Sequence, residues 1–472
     1  MKVSVNNLGA LSKAEIILNP LTIFVGPNNS GKTWTAYTLE AILGPYGYNV
    51  YEAAYVNNKT TETYPLLDKA VEQILTEGNA KIDLVQFGEE WGDRYFNHVA
   101  CLARTWLPKY FNTKRISFEN FTAHLELAES KNRWLDQLRE KKINRGYVYR
   151  RGVKEPLLTV IKEKGEEILY FYTQSKEELL DKLPKNAVRE TVVENIFLPL
   201  HQALYYGIFS FPTERAFLGS YPMNKQGRGM LIDYFFPPEP QGKIRYPWPL
   251  SRFLFDISTL QWQGSLAERE IQAEDNPLIG RYIQLADILE KEILKGKVDF
   301  STSASSSRRE VIFQPTEGLS MEIPVASSMV KELFPLVLYL RYLAEPGHWI
   351  IIDEPEMNLH PMAQVAMIEF LAMVVQAEIH VLLTTHSPYL VDHLINLMKA
   401  AKLMKMAKAK DKEAIRHKFF LKDPAAFISK DQVSVYLFEN GTAKNILSED
   451  GLINWGTFGD ISDRIANLYY EL

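Results

Sequence analysis

One stretch near the start of the chain has the residue types and spacing to bind phosphate. A short apolar run, Leu21-Thr-Ile-Phe-Val25, leads at once into Gly26-Pro27-Asn28-Asn29-Ser30-Gly31-Lys32-Thr33, and a helix-like segment follows from Trp34 to Leu43. Strand, Gly-x-x-x-x-Gly-Lys-Thr and helix in that order are what a P-loop requires. The glycines let the backbone turn so that successive N–H groups face phosphate oxygens, and the helix adds the positive end of its dipole. Lys32 has the reach for the β and γ phosphates, and the Thr33 hydroxyl is suited to ligate Mg²⁺. The expected ligands are therefore a nucleotide and Mg²⁺.

Three groups downstream complete a constellation. Trp349-Ile-Ile-Ile352 reads as a buried parallel strand ending in Asp353-Glu354, and His380-Val-Leu-Leu-Thr-Thr385 as another, ending at His386. In an α/β sheet, ligands sit beyond the C-terminal ends of the strands. There Asp353 is suited to hold Mg²⁺, Glu354 to orient or deprotonate an attacking water, and His386 to sense a γ phosphate by hydrogen bonding. An acidic pair after an apolar strand is common, and a strand-end His is usually a satisfied structural residue. The phosphate loop upstream is what gives the set its meaning. Glu214-Arg215, at the end of a strand-like run, reads by itself as a solvated loop pair.

These groups need an α/β head to position them, because strands and helices alternate around the phosphate loop. Residues 1–45 read as its N-terminal part and residues 206–472 as its C-terminal part. Between them, residues 46–205 are polar, aromatic-rich and mostly helical by period, with one β piece around Gly146–Tyr172, and read as an inserted domain. Their Tyr and Trp side chains are expected to form core. Residues 221–275, rich in Pro and aromatics, read as an irregular surface excursion. Helices are expected at about Leu278–Leu294, from Ser327 or Ser328, and over Pro361–Gln376. Val433–Glu439 followed by Asn440-Gly441 is a hairpin signal.

Composition sets limits. The 472 residues are 46% hydrophobic and 24% charged, with no window of 18 apolar residues, so no membrane span is expected. The N-terminus reads as a strand, not a signal peptide. A single cysteine, Cys101, excludes an intrachain disulfide and a cysteine-based metal cluster, which fits a cytoplasmic protein; it is expected to be a small buried hydrophobe. The net charge of −5 gives no global nucleic-acid signal. Residues 399–418, with eight Lys/Arg and two Asp/Glu, read first as a solvated helical face and second as a DNA contact.

Together, Gly26–Thr33, Ile350-Ile-Ile-Asp-Glu-Pro-Glu-Met-Asn-Leu-His-Pro361 and Thr384-Thr-His-Ser-Pro388 resemble the ABC-type, AAA-like ATPases of the SMC, RecF and OLD group, most of all an OLD-like branch without a Toprim nuclease domain. The motifs cover about 1–45 and 320–400, while 46–205 matches no family recognised from its residues. The resemblance implies a P-loop ABC-type ATPase head with a mostly helical inserted domain. Phe211-Pro-Thr-Glu-Arg215 resembles the Q-loop segment, which assigns Arg215 to the nucleotide site. Pro324-Val-Ala-Ser-Ser-Met-Val-Lys-Glu-Leu resembles the ABC signature, which assigns Ser327 and Ser328 to the γ phosphate across a dimer interface; Met329 stands where Gly is usual.

The implied mechanism is a switch. Two heads of a homodimer, or of a higher homo-oligomer, close on ATP, and Glu354 then drives hydrolysis. Output goes to a separate effector, a nuclease or toxin in anti-phage defence. Two alternatives stay open: a DNA repair or maintenance ATPase that binds DNA directly, and a nucleotide-bound scaffold with little turnover.

Overall fold

The computed structural model describes residues 1–148, 156–173, 184–220, 246–263, 265–302, 309–455 and 467. The chain forms two compact units: Met1–Asn6, Thr38–Leu107 and Ser117–Gly207 make the first, and Asn7–Tyr37, Pro108–Ile116 and Ile208–Leu472 the second. The fold is α/β.

The strands are β1 (Lys2–Leu8), β2 (Leu11–Ile17), β3 (Leu21–Val25), β4 (Asn79–Asp83), β5 (Thr122–Glu126), β6 (Ile143–Tyr147), β7 (Leu158–Lys162), β8 (Ile168–Thr173), β9 (Ile208–Phe211), β10 (Gly296–Thr302), β11 (Arg309–Pro315), β12 (Met321–Glu322), β13 (Trp349–Asp353), β14 (His380–Thr385), β15 (Val433–Glu439) and β16 (Thr442–Asn445).

In the second unit the strands run β2-β16-β15-β3-β14-β13-β9. From β15 through β9 the neighbours are all parallel. That is why Leu21–Val25 and Trp349–Asp353 read as unbroken apolar runs: all five residues of each are buried. Register decides what meets at the strand ends. Asp353 pairs with Thr384, Thr385 with Val25, and Ile352 with Phe211. The segments that follow, Gly26 onward, Glu354 onward, His386 onward and Pro212 onward, thus leave the sheet side by side. The β15–β16 hairpin turns at Asn440 (φ 49°) and Gly441 (φ 73°), as Asn-Gly requires.

The helices packed on this sheet are amphipathic or wholly apolar. Pro361–Gln376 buries every residue from Ala366 to Val375, and Ser328–Tyr342 buries nearly all of its length. One expectation changes here and two gain detail. Trp248–Gln263 and Leu266–Asp275 are helices, not irregular chain, while 221–245 lies outside the described residues. Pro247 and Pro249 sit where the first helix begins, the part of a helix that tolerates Pro. The helix begun at Pro277 runs to Ile288 and continues as a π-helical turn, Leu289–Leu294. The lysine-rich stretch is the end of one helix, Pro388–Met406, and a second, Ala409–Arg416.

In the first unit β1 pairs with β5, and β4-β8-β7-β6 form an antiparallel sheet. Around it lie helices Pro45–Val56, Pro65–Glu77, Lys131–Glu140 and Lys185–Leu204, and most of Leu84–Tyr110. The aromatic residues are core: Tyr51, Tyr55, Tyr64, Tyr95 and Phe197 are buried, and Tyr95 and Phe197 lie 4.6 Å apart between centroids. Buried Tyr51 and Tyr64 satisfy each other through hydroxyls 3.0 Å apart. Cys101, expected inside, is exposed, because it faces outward from the long Leu84–Tyr110 helix.

Candidate functional site

The loop between β3 and the helix Lys32–Leu43 has the backbone of an anion cradle. Gly26 has φ 140°, Asn29 φ 60° and Gly31 φ 98°. A Cβ at Gly26 would lie 2.2 Å from the Phe438 carbonyl oxygen, so only glycine fits. Pro27, Asn28 and Asn29 are exposed at the loop tip, whereas the Ser30 Oγ is buried with no partner. Lys32 is nearly buried; its Nζ donates to the carbonyls of Gly26 (3.0 Å) and Pro27 (2.9 Å), which lays it along the loop. Burial lowers its pKa, and the carboxylates of Glu354, Asp353 and Glu356 act against that shift.

Asp353 lies at the centre of the cluster. It is 2% exposed and accepts hydrogen bonds from Thr33 Oγ1 (2.8 Å), Thr384 Oγ1 and Tyr37 OH (3.4 Å). Burial pushes its carboxyl up, and the Thr384 and Thr33 hydroxyls pull it back. Glu354 follows with φ 50°, unusual for a side chain with a Cβ. The proline after it disfavours the right-handed helical region. Its N–H donates to the Thr384 carbonyl (3.1 Å). Its carboxylate lies 3.4 Å from His386 Nε2, and that contact, above all, holds its pKa below the usual range. The structure thus brings together Lys32, Thr33, Asp353, Glu354 and His386.

Arg215 is placed differently from expectation. It is 2% exposed, and its guanidinium is held by protein: Nη1 donates to the carbonyls of Pro212 (3.0 Å) and Asp353 (2.6 Å), and Nη2 to that of Glu354 (2.8 Å). Its Nε lies 2.9 Å from Glu332 Oε2. Ser327 caps the helix Ser328–Tyr342, its Oγ accepting from Val330 N at 3.4 Å. Ser327 and Ser328 are exposed, and among the described residues no hydrogen bond joins them to the cluster. Met329 turns inward and packs against the core.

Four further residues were not assigned to the site from the sequence. Tyr37 lies one helical turn after Thr33, a spacing that puts both on one face. Thr384 is visible only through strand register. Glu356, two residues after Glu354, accepts from Thr385 Oγ1 and His386 N, both at 2.7 Å, and so fixes the His386 backbone. Its other oxygen is buried and unpartnered, and burial raises its pKa. Glu332 stands out in the sequence only as an acid in the first turns of the helix begun at Ser327 or Ser328.

Two family models match the sequence: an AAA ATPase domain over residues 1–197, and an AAA domain described as putative AbiEii toxin, type IV TA system, over 263–392. Both models describe AAA-type ATPase domains, and each covers less than half of the chain. The first of them spans most of the segment that sequence motifs left unassigned. No curated protein matches this chain in sequence. Among solved structures it is similar to an SMC head bound to the C-winged helix domain of ScpA (11% identity, 94% of this chain and 96% of that one, TM-score 0.36). It is likewise similar to the Pyrococcus furiosus SMC head bound to the C-terminal domain of ScpA (9%, 99% and 98%, TM-score 0.37). A third is the Thermotoga maritima SMC head (10%, 95% and 98%, TM-score 0.30). At these scores the likeness carries no weight for mechanism.

Proposed function

We propose that the protein binds ATP at Gly26–Thr33, hydrolyses it with Mg²⁺, and uses closure of two such heads as a switch on a separate effector. The observation that carries this reading is the convergence at three strand ends: a glycine-turned loop with Lys32, a Thr33 hydroxyl 2.8 Å from Asp353, and Glu354 against His386. Thr33 and Asp353 are a hydroxyl and a carboxylate in direct contact, oxygen donors of the kind that suit Mg²⁺. When bound, Mg²⁺ supplies charge neutralisation to the phosphate oxygens. The backbone N–H groups of the loop, Ser30 Oγ and Lys32 Nζ bind and orient the triphosphate. Glu354, ionised at neutral pH, orients water and accepts its proton; His386 steadies that carboxylate. Exposed Ser327 and Ser328 are available to the γ phosphate bound by a second copy.

The putative AbiEii description of one matching family favours a defence setting, with a nuclease or toxin as effector. A cytoplasmic location suits that role, and no described helix is long and apolar enough to cross a membrane. One observation favours the DNA-binding alternative. Lys399, Lys402, Lys405, Lys408, Lys410, Lys412 and Lys418 are exposed, and among the described residues none has a carboxylate within ion-pair distance.

Phosphate release by the purified chain, with and without duplex DNA, tests both readings. Turnover lost in Lys32→Ala, with an ATP-trapped dimer in Glu354→Gln, supports the switch. DNA stimulation that collapses with added salt supports the alternative. Tight ATP binding without turnover would leave only the scaffold.

A further inference from the structure

Arg215 is a buried cation whose three hydrogen bonds all end on backbone carbonyls, two of them those of Asp353 and Glu354. Its counter-ion, Glu332, is 2% exposed and sits in the first turns of the helix that begins at Ser328. Glu332 is itself held from the other side, its Oε1 accepting from Asn358 Nδ2 at 3.0 Å. Asn358 belongs to the tight turn after Glu354, where Met357 N donates to the Glu354 carbonyl (3.1 Å). One guanidinium and one carboxylate therefore bracket the segment from Asp353 to Asn358 between β13 and the Ser328–Tyr342 helix.

The peptide being gripped is a strained one. Glu354 stands at φ 50°, a left-handed conformation that a residue with a Cβ rarely adopts. Such a conformation persists only where its surroundings over-determine it. Here the carbonyl of Glu354 takes two donors, Arg215 Nη2 and Met357 N, and its N–H donates to Thr384. Rotation of that peptide would swing the Glu354 carboxylate away from His386.

We infer that Arg215 is a positioning residue for Glu354, acting through the backbone it grips and anchored by Glu332, and not a phosphate ligand. This rests on the ATPase reading of the same site. A planar fork is needed, because one group must reach the Pro212, Asp353 and Glu354 carbonyls together. A lysine keeps the charge opposite Glu332 but can satisfy only part of that set. The small cavity of about 10 Å³ beside Arg215 and Glu332 is otherwise lined by apolar side chains, Phe211, Leu336 and Ile352 among them, so nothing there replaces the lost contacts.

The test uses the full chain as wild type, Arg215→Lys, Glu332→Gln and the double variant. Affinity is read with a fluorescent ATP analogue, kcat and KM by phosphate release, and loop order by hydrogen exchange of peptides covering 353–360. Arg215→Lys should keep affinity and KM within about threefold, lower kcat at least about tenfold, and speed exchange of the Met357 amide. Glu332→Gln should show the same split more weakly, and the double variant should be no worse than Arg215→Lys. Affinity that falls in step with kcat would make Arg215 a phosphate ligand and overturn the inference. So would unchanged exchange at 353–360, whatever the turnover. A wild type that fails to bind the analogue refutes the ATPase reading instead. Should Arg215→Lys not fold, Glu332→Gln carries the same comparison.

Discussion

Replacing Glu354 by Gln should separate turnover from folding. Among the described residues the Glu354 carboxylate has one hydrogen-bond or ion-pair partner, His386 at 3.4 Å, and the two side chains are 31% and 26% exposed. A partly solvated pair of this kind contributes under about 1 kcal/mol, so the melting temperature should move by about 2–4 °C or less. Gln keeps the shape and can still accept from His386. What it loses is the charge and the capacity to take a proton. A positioned base is worth about 10²–10⁴ in rate, or about 2.7–5.4 kcal/mol of barrier at 1.36 kcal/mol per decade. The catalytic effect should therefore exceed the stability effect several-fold. ATP affinity should hold or rise, since a negative charge beside the triphosphate is removed. The assay is phosphate release at saturating ATP, alongside analogue titration and a thermal melt. A variant that binds ATP, melts normally and keeps more than about a tenth of wild-type kcat would refute the role given to Glu354.

Three other outcomes follow from the geometry. Gly26→Ala places a Cβ 2.2 Å from the Phe438 carbonyl at φ 140°, so ATP-analogue affinity should fall at least about tenfold; near-normal affinity would show the loop to be more compliant than its backbone implies. Glu369 is fully buried and accepts from His393 Nε2 (2.8 Å), Phe420 N (3.1 Å) and Leu421 N (2.8 Å). Glu369→Gln puts an amide N–H against another donor there and should cost about 1–3 kcal/mol in a denaturant melt. His348 Nδ1 accepts from Glu345 N (3.2 Å) and lies 3.0 Å from the Tyr339 hydroxyl, and burial holds its pKa down to about 3 from 6.5. The unfolded chain then binds the extra proton first. The stability this gives is complete above about pH 6.5 and is lost as pH falls toward about 3, by up to about 1.4 kcal/mol per unit. His348→Gln should flatten that slope, and an unchanged slope would assign the acid sensitivity elsewhere.

Legibility varied with the kind of signal. The phosphate loop, the two buried strands and the Asn-Gly hairpin were readable because each is a local pattern with one physical meaning. The helix expected over about Pro361–Gln376 is there, since Pro at its start and a largely apolar run leave little choice. The segment 246–275 was misread because its prolines suggested broken chain, whereas a helix accepts Pro in its first turn. Cys101 was misplaced because exposure within the long Leu84–Tyr110 helix depends on which face packs. Thr384 was passed over because its contact with Asp353 exists only through the pairing of two strands about thirty residues apart. Arg215 was assigned to the nucleotide on its motif, yet its donors go to protein carbonyls, a destination no local pattern records.

The amino-acid sequence by itself determined the chemistry on offer: which residues can turn around a phosphate, which can hold a divalent cation, and which strand ends carry acid or imidazole. Those are properties of residue type and short spacing. Only the tertiary structure decided which of them meet. Parallel register set Val25, Thr385, Asp353 and Phe211 at one edge, and the burial of Arg215 with Glu332 turned an apparent surface pair into an internal clamp. A cation and a carboxylate can be taken out of water only where each finds the other and further partners besides, and that condition is met by packing across the whole unit, not by any stretch of chain.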